Sequence, residues 1–465
     1  MEKLNTDLLI IGAGPGGYVS AIYAAKKGLD VILVDAKRVG GTCLNEGCIP
    51  TKALVKSAEL YQEILNSEEN GITVSNASFD MSKIIDKKDA VKDKLINGIE
   101  FLLNKYNVNT MKGLATFVND KQVEVKGEQS YLIEPKHIII ATGSKTKYLP
   151  IKGSDSKYVV DSEILLDNKT LPKTLNIIGG GIIGMEFAFI YANLGVKVNV
   201  IEFLPRVLPG VDKEFSMRLM RFAKKLNIDL LTNAKVTEIE ALEDRALVHF
   251  EHKGKPKSLE SEMVLMAVGR GPKLDGLGLE NTTVKFETKT GIKVNEYLET
   301  NVENIYAIGD VTNLWQLAHV ASHQGIVAVD NILGNKRAMN YDYIPAVIFT
   351  SPQIATVGKT ESMCKENDIP YEVIKVPYSA NGKALILDAE AGYIKLLRNP
   401  ETLELIGGMV FGKDADNLIA PITIAVANKL TAKDLQETIF AHPTVSELIH
   451  EGAMGLDHLA IHFMD

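Results

Sequence analysis

The chain has 465 residues, 46% of them hydrophobic, and a formal net charge of −8, which predicts a globular protein of about three domains. The acidic balance offers no basic face for nucleic acid, and no apolar run reaches the roughly 18 residues that a membrane-spanning helix needs. The polar segment 1–7 runs directly into a predicted strand without the pattern of a signal peptide, so we expect a cytoplasmic protein.

The first elements form a strand–helix–strand unit. Apolar runs at 8–11 and 31–34 predict buried parallel strands, the second ending at Asp35, with a helix between them. The turn after the first strand carries Gly12, Gly14 and Gly17. Glycine there permits a tight bend, close approach of a pyrophosphate and close helix–strand packing, and the terminal acid can bind a ribose diol. Taken alone, the turn could equally be a tight connection without a ligand.

Cys43 and Cys48 follow, ahead of Pro50 and a stretch with helical spacing over 51–65. A cysteine at a helix N-terminus has a lowered thiol pKa, which favours the reactive thiolate. Half of a zinc site is an alternative, but no second Cys or His cluster of suitable spacing is present. Two buried small residues are another alternative. The third cysteine, Cys364, is expected to be a bystander.

The glycine-rich unit occurs a second time at 174–202. A shift of 167 positions superimposes the three glycines of the turn and places an acid, Glu202, where Asp35 stands in the first copy. Two such copies indicate two bound dinucleotides. Glu202 would repel a 2′-phosphate, which favours NAD over NADP, although Arg206 close by leaves NADP open.

Near the C-terminus, His442 precedes Pro443, and Thr444 and Glu447 have the spacing of a capping box. A capping box alone would explain Glu447, and a histidine before a proline in a surface turn is ordinary. Histidine is also the side chain suited to proton exchange at neutral pH. Both interpretations therefore stay open from these residues alone.

Together these motifs resemble the flavin-dependent pyridine nucleotide–disulfide oxidoreductases, the family of glutathione reductase and the dihydrolipoamide dehydrogenases. The landmarks cover nearly the whole chain: GAGPGG, GGTCLNEGCIPTKAL, ATGS (141–144), GGGIIGME, AVGR (267–270), IYAIGDV (305–311), LAH (317–319) and HPTVSE (442–447). Leu44, Asn45, the GIIGME segment and Glu202 are most similar to the dihydrolipoamide dehydrogenases. The resemblance implies an α/β fold with two Rossmann-like dinucleotide-binding domains, for FAD and NAD, plus an α+β C-terminal dimerisation domain.

The resemblance also implies roles for individual residues. The implied FAD-binding residues are Gly12, Gly14, Gly17, Asp35, Thr42, Lys52, Ala115, Thr142, Gly143, Ser144, Asp310 and Ala318. The implied NAD-binding residues are Gly179, Gly181, Gly184, Glu186, Glu202, Val236 and Gly269. Cys43 and Cys48 would form the redox disulfide, Lys52 and Glu186 an ion pair beside the flavin, and His442 the acid–base catalyst oriented by Glu447. Many relatives carry a second histidine where this chain has Phe440, which is expected to tune the pocket.

The domains are expected at 1–149 (FAD, first segment), 150–271 (NAD), 272–343 (return to the FAD domain) and 344–465 (dimerisation). The implied activity is oxidation of protein-bound dihydrolipoyl groups, with hydride passed through tightly bound FAD to NAD. The expected partners are a second copy of the chain, whose His442 would complete the site, and a separate lipoyl-bearing protein of a 2-oxoacid dehydrogenase or glycine cleavage complex. A reductase of another disulfide or of an ionic metal using NADPH is the runner-up, and a non-catalytic flavoprotein scaffold is the alternative from another class.

Overall fold

The computed structural model of the protein describes residues 2–464, so Met1 and Asp465, which the predicted domain limits include, lie outside the described residues. The first segment alternates strands and helices. Its elements in chain order are β1 (Glu2–Ile11), α1 (Pro15–Lys26), β2 (Val31–Asp35), α2 (Gly41–Glu46), α3 (Cys48–Leu65), α4 (Met81–Lys105), β3 (Asn109–Asn119), β4 (Gln122–Gly127), β5 (Ser130–Ile140) and β6 (Ser144–Thr146). Helix α3 begins at Cys48, as the position of Pro50 predicts.

The second segment repeats the strand–helix–strand unit and adds a small antiparallel sheet. Its elements are β7 (Val159–Val160), α5 (Ser162–Leu166), β8 (Thr174–Ile178), α6 (Ile182–Asn193), β9 (Lys197–Ile201), α7 (Lys213–Lys225), β10 (Ile228–Leu231), β11 (Ala234–Ala241), β12 (Ala246–His252), β13 (Lys255–Ser261) and β14 (Met263–Met266). Helices α1 and α6 have the same length and are related by the shift of 167 positions found in the sequence. The parallel strand order is β10-β9-β8-β14-β7, while β11, β12 and β13 pair antiparallel.

The chain then returns to the first sheet. The elements of this return are β15 (Arg270–Pro272), β16 (Phe286–Glu287), β17 (Gly291–Ile292), β18 (Ile305–Ala307) and α8 (Ala318–Ile332). Strand β18 pairs parallel to β5, next to the parallel set of β5, β1, β2 and the start of β3. Strand β15 pairs antiparallel with β6, so the outgoing and returning chains form a two-stranded ribbon between the two α/β units.

The last segment forms an antiparallel sheet of order β19-β20-β23-β22-β21 with helices packed against it. Its elements are β19 (Ala346–Ile348), β20 (Gln353–Gly358), α9 (Glu361–Glu366), β21 (Glu372–Pro377), α10 (Gly382–Ile386), β22 (Tyr393–Arg398), β23 (Leu405–Gly412), α11 (Ala415–Ala427), α12 (Ala432–Gln436) and α13 (Glu447–Leu456). Helix α11 packs on β20 and β23 and buries Leu418, Ile419 and Ile422, so this face serves the domain's own core. The predicted fold class is confirmed, whereas the exact domain limits stay predictions.

Candidate active site

A cavity of about 1740 Å³ receives most of the predicted site residues. Its lining includes Cys43, Cys48 and the following predicted cofactor residues: Gly12, Gly14, Asp35, Thr42, Lys52, Thr142, Gly143, Ser144, Asp310, Ala318, Gly179, Gly181, Glu186, Glu202, Val236 and Gly269. Ala115 does not line it, because this residue of β3 is buried in a hydrophobic core. Gly17 and Gly184 pack behind their turns, and His442 and Glu447 lie elsewhere in the chain's fold.

The first glycine turn has the backbone geometry that only glycine satisfies. Gly12 has φ +105°, and a Cβ there would overlap the carbonyl oxygen of Ala141. A Cβ on Gly17 would overlap the carbonyl oxygen of Gly12, so α1 lies directly against the turn. A Cβ on Gly14 would lie 3.7 Å from the Cα of Gly41, which places the loop before Cys43 over this turn.

The second turn repeats these features. Gly179 has φ +109°, with the carbonyl oxygen of Ala267 in the way of a Cβ, and a Cβ on Gly184 would overlap Gly179. Around Gly181, by contrast, nothing lies within 4 Å of the position of a Cβ. Neither α1 nor α6 has a side-chain cap, so the backbone amides of both helix starts remain available to a pyrophosphate. The two turns therefore fit two dinucleotides.

The two strand-end acids are held alike. Asp35 accepts hydrogen bonds from the amides of Ala13 (2.6 Å) and Lys37 (2.8 Å). Glu202 accepts them from Gly180 (2.5 Å) and Leu204 (2.6 Å), the residues 167 positions further along. Each carboxylate is thus fixed beside its glycine turn, where a ribose diol would lie.

Arg206 does not face the place of a 2′-phosphate as a free cation. Its guanidinium donates to the backbone carbonyls of Leu208, Val211 and Pro209 at 3.1, 2.6 and 2.7 Å. These bonds engage the planar set of guanidinium donors. Arg206, the residue that kept NADP as a possible coenzyme in the sequence analysis, therefore holds its own loop.

Cys43 and Cys48 stand as free thiols close to each other. Hydrogen bonding from the Cys43 thiol is the main influence that lowers the pKa of Cys48, to about 7; burial opposes this effect and the charge of Lys52 adds to it. The same bond and burial raise the pKa of Cys43. Cys48, the first residue of α3, is therefore the more acidic thiol of the pair and the one that favours the thiolate form.

Beside Cys48, Lys52 and Glu186 form the expected ion pair. The Nζ atom lies 2.9 and 3.1 Å from the two carboxylate oxygens, and only 4% of the Glu186 side chain is exposed. Phe349, which the sequence did not single out, donates its amide to Glu186 (3.0 Å), and its ring centroid lies 4.6 Å from Lys52 Nζ. Phe349, from the C-terminal segment, therefore orients an ion pair whose two residues come from the two different α/β units.

Ser144 and Asp310 meet at the ribbon of β6 and β15. The Ser144 hydroxyl donates to Asp310 Oδ2 (2.6 Å) and accepts from Nε of Arg270 (2.9 Å). Arg270 stands in the AVGR motif, but nothing in the sequence indicates these partners. His319 donates from Nε2 to the carbonyl of Pro345 (2.8 Å), which is a structural role.

His442 and Glu447 form a hydrogen-bonded pair, with Nδ1 2.9 Å from Oε1. The other oxygen of Glu447 accepts from the amide of Thr444 (2.8 Å), and these bonds outweigh partial burial and lower the pKa of Glu447. The capping-box alternative is confirmed in part: Glu447 reaches back to the Thr444 amide, but the Thr444 hydroxyl does not cap α13 and bonds instead to the carbonyl of Ala441. The imidazole is 80% exposed, and the cavity of its own chain does not include it.

Phe440, which stands where many relatives have a histidine, lies edge-on to His450 at 6.0 Å. Cys364 is buried in α9, away from the cavity. Within residues 2–464, no three His, Cys, Asp or Glu side chains come together as metal ligands, and no helix is long and apolar enough to cross a membrane.

The comparisons with known proteins agree with this geometry. Residues 6–325 match the family described as pyridine nucleotide-disulphide oxidoreductase, and residues 344–453 match its dimerisation domain. The chain is 40% identical over 454 residues to the dihydrolipoyl dehydrogenase of Bacillus subtilis (97% of this chain, 96% of the relative), and 39% identical over 451 residues to that of Geobacillus stearothermophilus (97% and 96%).

Among solved structures, LpdA from Mycobacterium tuberculosis superimposes with a TM-score of 0.91 at 26% identity, covering 98% of this chain and 100% of that chain. The HOCl-induced flavoprotein disulfide reductase RclA from Escherichia coli superimposes with a TM-score of 0.87 at 30% identity, covering 96% and 99%. With family matches that extend over most of its length, this chain belongs to the pyridine nucleotide-disulphide oxidoreductases.

Proposed function

We propose that the chain is an NAD-dependent, FAD-containing dihydrolipoyl dehydrogenase. The observation that carries the proposal is the pair of neighbouring thiols, Cys43 in α2 and Cys48 at the start of α3, in one cavity with both glycine turns. The full-length similarity to dihydrolipoyl dehydrogenases favours dihydrolipoyl groups as the reductant. A cytoplasmic location and a lipoyl-bearing partner protein follow from this activity.

His442 is the proposed acid–base catalyst. Glu447 accepts a hydrogen bond from Nδ1, which fixes the proton there and leaves the lone pair of Nε2 to accept a proton from a dihydrolipoyl thiol. Since His442 is 80% exposed and lies away from its own chain's cavity, we place it against the cavity of a second copy in a homodimer. The match of 344–453 to the dimerisation domain supports this arrangement.

The exchange step uses the different acidities of the two thiols. In the oxidised pair, the substrate thiolate attacks the sulfur of Cys43, the Cys43–Cys48 bond breaks, and Cys48 leaves as the thiolate that its lowered pKa favours. His442 releases the first proton to solvent, takes the proton of the second substrate thiol and passes it to the sulfur of Cys43. The second substrate sulfur attacks the first, the bond between substrate and Cys43 breaks, and the lipoyl disulfide is released. The electron pair of the substrate is now held by the reduced pair, Cys43 as thiol and Cys48 as thiolate.

The residues around the two turns are the proposed cofactor ligands. The first turn with Asp35, Thr42, Lys52, Ser144 and Asp310 would hold FAD. The second turn with Glu202 and Val236 would hold NAD, and the engagement of Arg206 in its own loop supports NAD over NADP. When bound, FAD supplies the transfer of the electron pair from the dithiol to NAD as hydride.

The test is NADH formation by the purified yellow protein with dihydrolipoamide and NAD, run beside NADPH oxidation with glutathione disulfide. We expect rapid NADH formation that is lost in Cys43→Ala and kept in the matched control Cys364→Ala, since Cys364 is buried outside the cavity. Silence with dihydrolipoamide together with NADPH oxidation by another disulfide would refute both the substrate and the role given to Glu202, and would favour the disulfide reductase alternative.

A further inference from the structure

Arg270 lies where the chain returns from the second α/β unit to the first. It is in β15, opposite Thr146 of β6, and its guanidinium is largely buried. Nε donates to the Ser144 hydroxyl (2.9 Å), and one amino group donates to the Ser144 carbonyl (3.0 Å). The same amino group lies 3.7 Å from Glu163 of α5, and the other donates to the Thr146 hydroxyl (3.2 Å).

These contacts fix the direction of the next hydrogen bond. A guanidinium has donors and no acceptor, so the Ser144 oxygen must accept from Arg270. The single hydroxyl proton of Ser144 is then left for Asp310 Oδ2, 2.6 Å away. Ser144 is 5% exposed, so little water can reach its hydroxyl and reorient the proton away from Asp310. One oxygen of Asp310 thus accepts from Ser144, and a carboxylate has further lone pairs with which to accept a hydrogen bond from a bound molecule.

The same contacts govern the charge of Asp310. Burial raises the pKa of this carboxyl, while the bond from Ser144 and the positive charge of Arg270 oppose the increase. Arg270 is the charged side chain among the described residues that acts on Asp310, and Glu163 acts on Arg270 from the opposite side. Removing Arg270 would therefore leave the Asp310 carboxylate partly desolvated without this positive charge, and would leave the Ser144 hydroxyl free to rotate.

We propose that Arg270 is a positioning residue for the flavin cofactor: acting through Ser144, it holds the Asp310 carboxylate in the orientation that accepts a hydrogen bond from the ribitol chain. The inference rests on the FAD site proposed above and not on the choice of disulfide substrate. Glu163 belongs to the second α/β unit and Asp310 to the first. The Arg270 guanidinium therefore links the residue that would bind the flavin to the position of the NAD-binding unit.

The test measures the Kd for FAD by flavin fluorescence across pH 5–8, with the parent measured first. A hydrogen bond to a charged group predicts that Arg270→Met and Ser144→Ala each raise the Kd about tenfold or more at neutral pH. As the pH is lowered, Arg270→Met should also lose its affinity for FAD at a higher pH than the parent does. The reason is that Asp310, without the positive charge of Arg270, becomes protonated at a higher pH. Arg270→Lys keeps the charge and should keep the parent's pH profile. Arg245→Met, which removes an exposed arginine in the turn before β12, is the matched control and should leave the Kd unchanged.

The double variant decides whether Arg270 acts through Ser144. If it does, adding Arg270→Met to Ser144→Ala changes the Kd by less than about twofold. Full addition of the two effects, or an Arg270→Met protein with the Kd and pH profile of the parent, would overturn the proposal. If the parent itself bound no FAD, the placement of the FAD site would fail instead. Where Arg270→Met does not fold, Arg270→Lys and Ser144→Ala carry the test through the pH profile.

Discussion

The influence of Cys43 on the pKa of Cys48 offers a direct test of how this site favours a thiolate. The bond from Cys43 is the main influence lowering the pKa of Cys48 to about 7. Cys43→Ala removes the donor and leaves Lys52 and the helix start in place. Cys43→Ser keeps a hydroxyl donor at the same position. We expect the pKa of Cys48 to rise in both variants, and to rise further in Cys43→Ala.

The size of the effect follows from ordinary hydrogen-bond energies. A hydrogen bond to a charged group contributes about 1.5–3 kcal/mol, and one pKa unit corresponds to about 1.36 kcal/mol. Losing the bond should therefore raise the pKa of Cys48 by about one to two units. At pH 7 the thiolate fraction would fall from about one half to about a tenth or less.

The assay is the rate of alkylation of Cys48 by iodoacetamide as a function of pH, since the thiolate is the reactive form. Reduced parent and both variants are compared, and mass spectrometry separates Cys48 from Cys364. Cys364 is fully buried, so it should react slowly in all three proteins and report any loosening of the fold. An alkylation midpoint in Cys43→Ala equal to that of the parent would refute the role given to the thiol–thiol bond.

Three further predictions concern other parts of the site. His442→Gln should lower turnover with dihydrolipoamide about 10²- to 10⁴-fold while flavin content is kept; near-parent turnover in a steady-state assay would remove His442 from the mechanism. Gly184→Ala should lower the melting temperature and abolish NADH binding, because its methyl group would overlap the carbonyl oxygen of Gly179; a parent-like melting curve would show that the turn tolerates a side chain. Glu202→Ala should raise the KM for NAD about tenfold or more with a smaller change in kcat, since it removes a charged ribose ligand; an unchanged KM would place the ribose elsewhere.

Much of the fold could be predicted because its signals are local. A glycine that must adopt positive φ against a neighbouring carbonyl, as at Gly12 and Gly179, is fixed by the turn itself. The start of α3 could be placed because proline is tolerated in a first helical turn, and Pro50 is the third residue of that helix. The start of α11 is not a local signal of this kind, because it depends on the positive φ of Asp414, a backbone detail that the residue types do not fix.

Contacts between distant segments could not be predicted in this way. Phe349 and Arg270 reach their partners only through the packing of one domain on another, and neither carries a local pattern for that role. Glu447 illustrates an intermediate case. The capping-box spacing predicted its bond to the Thr444 amide, but a carboxylate has two oxygens, and the second is the one that binds His442.

The two glycine turns differ in what is built above them, and this difference bears on how long each ligand stays. Over the first turn lies the segment before Cys43, where a Cβ on Gly41 would be close to the Cα of Gly14. Above the second turn, the space next to Gly181 is open. We therefore expect a dinucleotide at the first turn to exchange with solvent more slowly than one at the second turn, in addition to any difference in the groups that bind them. The same repeated unit thus suits both a tightly held and an exchanging dinucleotide.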